Sequence, residues 1–115
     1  MASWISAGPA DALAPGEVKV VQRGRTRLAV CNVDNAFHCI ADVCTHDGGP
    51  LDQGELDGRE IECPRHGARF DVTDGRATCL PAVAPVRVYP VRVENGALQV
   101  QYEDYQLGTP DKARA

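Results

Sequence analysis

Short runs of alternating apolar and polar residues, broken by Gly, Pro, Asn or Asp, make up most of the chain. Residues 18–21, 26–33 and 37–43 are rich in Val, Ile and other strand formers, which predicts three strands. Asp34-Asn35 lies between the second and third and predicts a hairpin turn. Further along, Glu55-Leu56 and Glu60-Ile61-Glu62 flank Asp57-Gly58, and residues 69–72 precede Asp74-Gly75, so two more turns are expected. Val86-Arg87-Val88-Tyr89 and Val91-Arg92-Val93 alternate around Pro90, which is expected at an edge or bulge where its missing N–H is tolerated. Asn95-Gly96 then turns the chain into an alternating segment at 97–102. About eight or nine short strands follow from this reading, and the predicted fold class is all-β, a small antiparallel sandwich or barrel.

Between the strands, residues 7–16 contain Pro9, Pro15 and Gly16 and predict a loop or a single turn. Trp4 reads as a core anchor on an early strand. The polar stretch after Leu107 is expected to fray. Residues 44–54 and 63–67 break the strand rhythm, and these irregular, glycine-rich segments hold the unusual side chains. Binding chemistry concentrates on such loops when a rigid β scaffold carries them.

Composition narrows the function. The 115 residues amount to one domain, taken as 1–115, and the 11 Gly and 8 Pro leave no room for long helices. The net charge of −4 and pI of about 5.2 come without a basic stripe, which excludes a nucleic-acid partner. No run approaches the roughly 18 apolar residues of a membrane helix. The start has neither a basic n-region nor a long apolar h-region, so the expected compartment is the cytoplasm. Five cysteines is an odd number, and in a reducing compartment it points to metal or redox chemistry rather than disulfides.

The chemistry-bearing pattern is Cys44-Thr45-His46-Asp47-Gly48-Gly49-Pro50-Leu51 followed by Cys63-Pro64-Arg65-His66-Gly67. It reads C-x-H, sixteen intervening residues, then C-x-x-H. The hairpin expected between the halves would bring the second loop back beside the first. Structural zinc modules pair Cys with Cys and His with His locally, whereas each half here is mixed. Mixed loops suit a two-iron cluster in which two thiolates hold one iron and two imidazoles the other. Imidazole donates less electron density than thiolate and favours reduced iron, which raises the potential into the range of about −150 to +300 mV.

With these residues the sequence resembles the Rieske-type [2Fe–2S] ferredoxins over residues 17–100. The likeness rests on the two loops together with Phe70-Asp71, Asp74-Gly75 and Pro81-Ala82-Val83-Ala84-Pro85. It implies a cluster-binding subdomain at about residues 43–82. Cys44 and Cys63 would hold the inner iron, His46 and His66 the outer, surface-facing iron, and residues 81–85 would cover a third side. High-potential respiratory members carry a disulfide between the loops, but the matching positions here are Gly49 and Arg65. Their cluster-facing serine and tyrosine hydroxyls are matched by Ala68 and Phe70. Without those hydroxyls the reduced state loses hydrogen bonds to sulfur, and a potential near the bottom of the range is expected, measurable by voltammetry.

The resemblance implies an electron carrier without catalysis of its own. It would be a monomer that meets a flavin-dependent ferredoxin reductase and a terminal oxygenase in transient complexes. Only His38 remains after the cluster takes two histidines, so the chain lacks the two-histidine, one-carboxylate iron site of the oxygenase itself. Two other readings stay open at this point: the small subunit of an assimilatory, nitrite-type reductase, and a structural zinc module. Outside the motif, Cys31, Cys39 and Cys79 read as small buried residues in strands, with Cys31 and Cys39 able to face each other across the Asp34-Asn35 turn. His38 reads as a strand-packing or surface residue. Asp47, Asp52, Glu55, Asp57, Glu60 and Glu62 make the arm between the loops acidic, either as a docking face or as solvated hairpin surface.

Overall fold

The computed structural model describes residues 2–46 and 48–103, so Asp47 and the stretch after Leu107 lie outside the described residues. The elements, in chain order, are β1 (Ala2–Pro9), a 3-10 turn (Ala10–Ala12), β2 (Val18–Arg23), β3 (Thr26–Val33), β4 (Ala36–Ala41), β5 (Glu55–Asp57), β6 (Glu60–Glu62), β7 (Arg69–Asp71), β8 (Ala77–Cys79), β9 (Val88–Tyr89), β10 (Val91–Glu94) and β11 (Ala97–Glu103). They form three antiparallel sheets, β1-β11-β10, β2-β3-β4-β9 and β5-β6-β7-β8. No helix among the described residues is long and apolar enough to cross a membrane.

The middle sheet has a core on each face, and this explains the unbroken apolar run in the centre of β3: Leu28, Ala29, Val30 and Cys31 are all fully buried. Leu28, Val30 and Cys39 pack with Ile5, Leu98 and Val100 from the first sheet. Ala29, Cys31 and Ile40 face the other way and pack with Ile61 and Phe70 from the third sheet, and with Cys44, Leu51, Cys63 and Ala82 from the connecting loops. The loop-bearing end of the molecule therefore shares its core with the middle sheet.

The hairpin signals behave as expected at Asp34-Asn35 and Asn95-Gly96, where both residues of each pair have positive φ (51° and 72°; 53° and 79°). Several expectations are corrected. Among the described residues eleven strands form rather than eight or nine. Residues 7–9 belong to β1 instead of a loop, because Pro9 pairs with Ala97 across a bulge. β8 carries little strand signal of its own and is held by pairing with β7. Pro90 does keep its expected edge position: it lies between β9 and β10, each the edge strand of its own sheet, and marks the crossover between layers. Trp4 is half-buried rather than a core anchor, and the Arg92 guanidinium lies 4.1 Å from its ring centroid.

Cys31 and Cys39 do not face each other. Cys31 pairs with His38 and Cys39 with Val30, so the two thiols point to opposite faces of the middle sheet. Burial, with Asp42 nearby, pushes the Cys31 thiol up to about 12, and burial raises Cys39 as well. Both are neutral packing residues at ordinary pH. Cys79 is exposed, against the expectation of burial.

Candidate metal centre

Cys44 and Cys63 lie on two loops at one end of the molecule, one after β4 and the other between β6 and β7. The two loops share one backbone scheme. Cys44 N–H donates to Gly49 O (2.7 Å) and Gly48 N–H to Cys44 O (2.8 Å). Cys63 N–H donates to Ala68 O (2.7 Å) and Gly67 N–H to Cys63 O (3.1 Å). In each loop the residue four after the cysteine is a glycine at φ 79°, a conformation other residues adopt at a cost. The loops differ in the histidine, which stands two residues after Cys44 but three after Cys63.

The two loops bring the four side chains singled out in the sequence to one end of the fold. Cys44 and Cys63 are each 1% exposed within one apolar core, while both imidazoles reach the surface. The His46 and His66 rings meet edge-on with centroids 5.4 Å apart. A third wall comes from residues 81–85. Thr45 Oγ1 donates to Ala84 O at 2.7 Å and ties that wall to the first loop. Val83 on this wall and Leu80 just before it are 81% and 73% exposed. Among the described residues, no three His, Cys, Asp or Glu side chains gather closely enough to hold a single metal ion. Two inner thiols and two outer imidazoles fit a two-iron group with a sulfur end and a nitrogen end.

Two features escaped the sequence reading. Asp42 is a buried carboxylate whose Oδ1 accepts the N–H groups of Leu51 (2.8 Å) and Asp52 (2.7 Å) and whose Oδ2 pairs with Arg27 (2.9 Å). Burial pushes its carboxyl up, and the backbone donors and Arg27 oppose that. A carboxylate two residues before the cysteine was its only signal. Gly54 lies against the backbone of Glu62, the residue before Cys63. The acidic arm carries counter-charges of its own. Arg69 spans Asp57, Glu60 and Glu62 at 3.3, 3.2 and 3.1 Å, and Arg27 reaches Asp52 at 3.5 Å.

Residues 3–90 match the Rieske [2Fe–2S] domain. The chain belongs to that family. As a Rieske protein it carries one [2Fe–2S] cluster, and it works as an electron carrier rather than as an enzyme. The ferredoxin component of the naphthalene 1,2-dioxygenase/salicylate 5-hydroxylase systems of Ralstonia sp. is 36% identical over 101 residues, covering 88% of this chain and 97% of that protein. A chain in the complex of reduced oxygenase and oxidized ferredoxin in carbazole 1,9a-dioxygenase superposes with a TM-score of 0.82 at 38% identity, covering 84% of this chain and 91% of that one. A protein assigned as an NADH-dependent nitrite reductase small subunit in Mycobacterium tuberculosis has a TM-score of 0.78 at 26% identity, covering 90% of this chain and 98% of that one. The lower identity of the last match weighs toward the oxygenase ferredoxins.

Proposed function

We propose that this Rieske ferredoxin is the electron-carrying component of a multicomponent ring-hydroxylating oxygenase. In this reading the whole chain, 1–115, acts as one monomeric cytoplasmic domain. It accepts single electrons from a flavin-dependent reductase and delivers them to a terminal oxygenase. Cys44 and Cys63 hold the inner iron, and His46 and His66 hold the outer iron. The cluster supplies a one-electron couple, and every other contribution comes from the chain. The buried thiols keep the sulfur end dry in the shared core. The exposed imidazoles bring the nitrogen end to the surface, and Leu80 and Val83 offer partners an apolar contact beside it. The observation that carries this reading is that opposed exposure of thiols and imidazoles.

Transient redox partners bury less than about 1,200 Å² in total, and a contact of that size is expected here. Reconstitution tests the reading: substrate turnover is expected only when reductase, this protein and oxygenase are all present. Turnover by the isolated chain, or its copurification with a large reductase subunit, would point elsewhere. His66→Cys tests the ligand set. Replacing a neutral imidazole by thiolate on the outer iron adds electron density. The visible spectrum is expected to change and the potential to fall, and an unchanged spectrum would remove His66 from the ligands.

A further inference from the structure

The two cluster loops have matching internal hydrogen bonds, but their ends are closed in different ways. The second loop leaves and re-enters a strand ladder, since Glu62 and Arg69 on either side of it are direct partners in β6–β7. The first loop has no such ladder. β4 ends at Ala41, the next strand begins at Glu55, and the two are not paired. In the place of a ladder stands one side chain. Asp42 Oδ1 accepts the N–H groups of Leu51 and Asp52 at 2.8 and 2.7 Å, joining the start of the loop to its end. Asp42 Oδ2 accepts from Arg27 Nε (3.2 Å) and Nη2 (2.9 Å), and Asp42 N–H donates to Arg27 O (2.9 Å), which anchors the clamp to β3. Leu51, at the closed end, is 0% exposed and packs in the same core as Cys44 and Cys63.

We propose that Asp42 is the positioning residue of the first cluster loop, doing through one buried carboxylate what the β6–β7 ladder does for the second. It touches neither metal nor partner. It fixes the span in which Cys44 and His46 sit, so that their donors meet the fixed pair of the second loop. The idea rests on the ligand set proposed above.

The test uses holoprotein, an iron chelator and the visible absorbance of the cluster. Asp42→Ala is expected to lose its cluster about 10- to 100-fold faster than wild type, the usual cost of removing a group that orients a metal ligand. It is also expected to speed amide exchange at Leu51 and Asp52 and to change the EPR signal of the reduced protein. Asp42→Asn keeps an oxygen acceptor and is expected to fall between the two, and it serves if the alanine variant fails to fold. Asn32→Ala is the control. Asn32 is equally buried, and its side chain makes two hydrogen bonds, to Leu13 O and from Asn35 N–H, away from the cluster end. It is expected to lower thermal stability while leaving the EPR signal and the exchange at Leu51 and Asp52 unchanged. Wild-type cluster lifetime and EPR signal in the Asp42 variants, or equally fast loss in Asn32→Ala, would overturn the proposal. Cys44→Ser separates this from failure of the ligand set: if it keeps a wild-type spectrum, the ligand assignment is wrong, whatever the Asp42 variants do.

Discussion

Gly54→Ala is expected to prevent stable assembly of the cluster-bearing end. A Cβ at residue 54 would stand 1.7 Å from Glu62 O, 2.9 Å from Glu62 C and 3.3 Å from Pro64 Cδ. The obstacle is backbone rather than the mobile tip of a side chain. Glu62 cannot step aside, because it is paired with Glu55 on one side and Arg69 on the other. Relief would have to come from moving residues 62–64, and Cys63 is in the middle of that segment. Overpacking a well-packed site costs about 1–3 kcal/mol and sometimes more. A clash with paired backbone belongs at the upper end, which corresponds to a fall in Tm of more than about 10 °C. Thermal unfolding and iron analysis of the purified variant check both consequences. Gly58→Ala is the comparison: nothing lies within 4 Å of its Cβ position, and only the φ of 62° opposes it, at about 1–2 kcal/mol. A Gly54→Ala protein that binds iron normally and melts with wild type would mean that the hairpin yields.

How much of this was legible in the sequence depends on how far each interaction reaches. Turns act over two residues, so Asp34-Asn35 and Asn95-Gly96 announced themselves. The four proposed ligands stood out because soft and nitrogen donors at mixed spacing are rare, and the structure buries the two thiols and exposes the two imidazoles. What failed was anything set by a distant partner. Residues 7–9, with Gly8 and Pro9, read as a loop, and they extend β1 only because β11 runs beside them. Which faces Cys31 and Cys39 occupy depends on register across the hairpin, and a two-residue turn pairs Cys31 with His38 instead of Cys39. The clamp from Asp42 to Asp52 bridges ten residues of irregular chain, where no periodicity exists to read, and the approach of Gly54 to Glu62 depends on how the β5–β6 hairpin closes.

The acidic arm illustrates the same limit with charge. Read along the chain it is a run of carboxylates, and as a docking face it would make association with basic partners fall with salt. Folded, three of those carboxylates surround Arg69 and a fourth turns to Arg27. Part of the arm's field is therefore spent within the protein. Leu80 and Val83 are left as exposed apolar side chains with an unmet preference for a partner.

Removing iron is expected to loosen residues 44–50 and 63–68 while the middle sheet stays closed. The backbone hydrogen bonds described within each loop are local, and the proposed ligands lie far apart in sequence. Metal binding in such a case contributes directly to folding. The core nevertheless limits how far the loss spreads. Ala29, Cys31 and Ile40 of the middle sheet still face Ile61 and Phe70 of the third sheet, and the core on the opposite face contains no loop residue from either ligand segment. Amide exchange in the apoprotein should therefore rise about a hundredfold in the two loops, equivalent to roughly 3 kcal/mol of local protection. Leu28, Ala29, Val30 and Cys31 should keep theirs. Equal protection of the loops with and without iron would show that the ligand segments are preformed by the chain alone. An intermediate result carries its own information: a first loop that stays closed in the apoprotein while the second opens would locate the closure in the Asp42 carboxylate rather than in the metal.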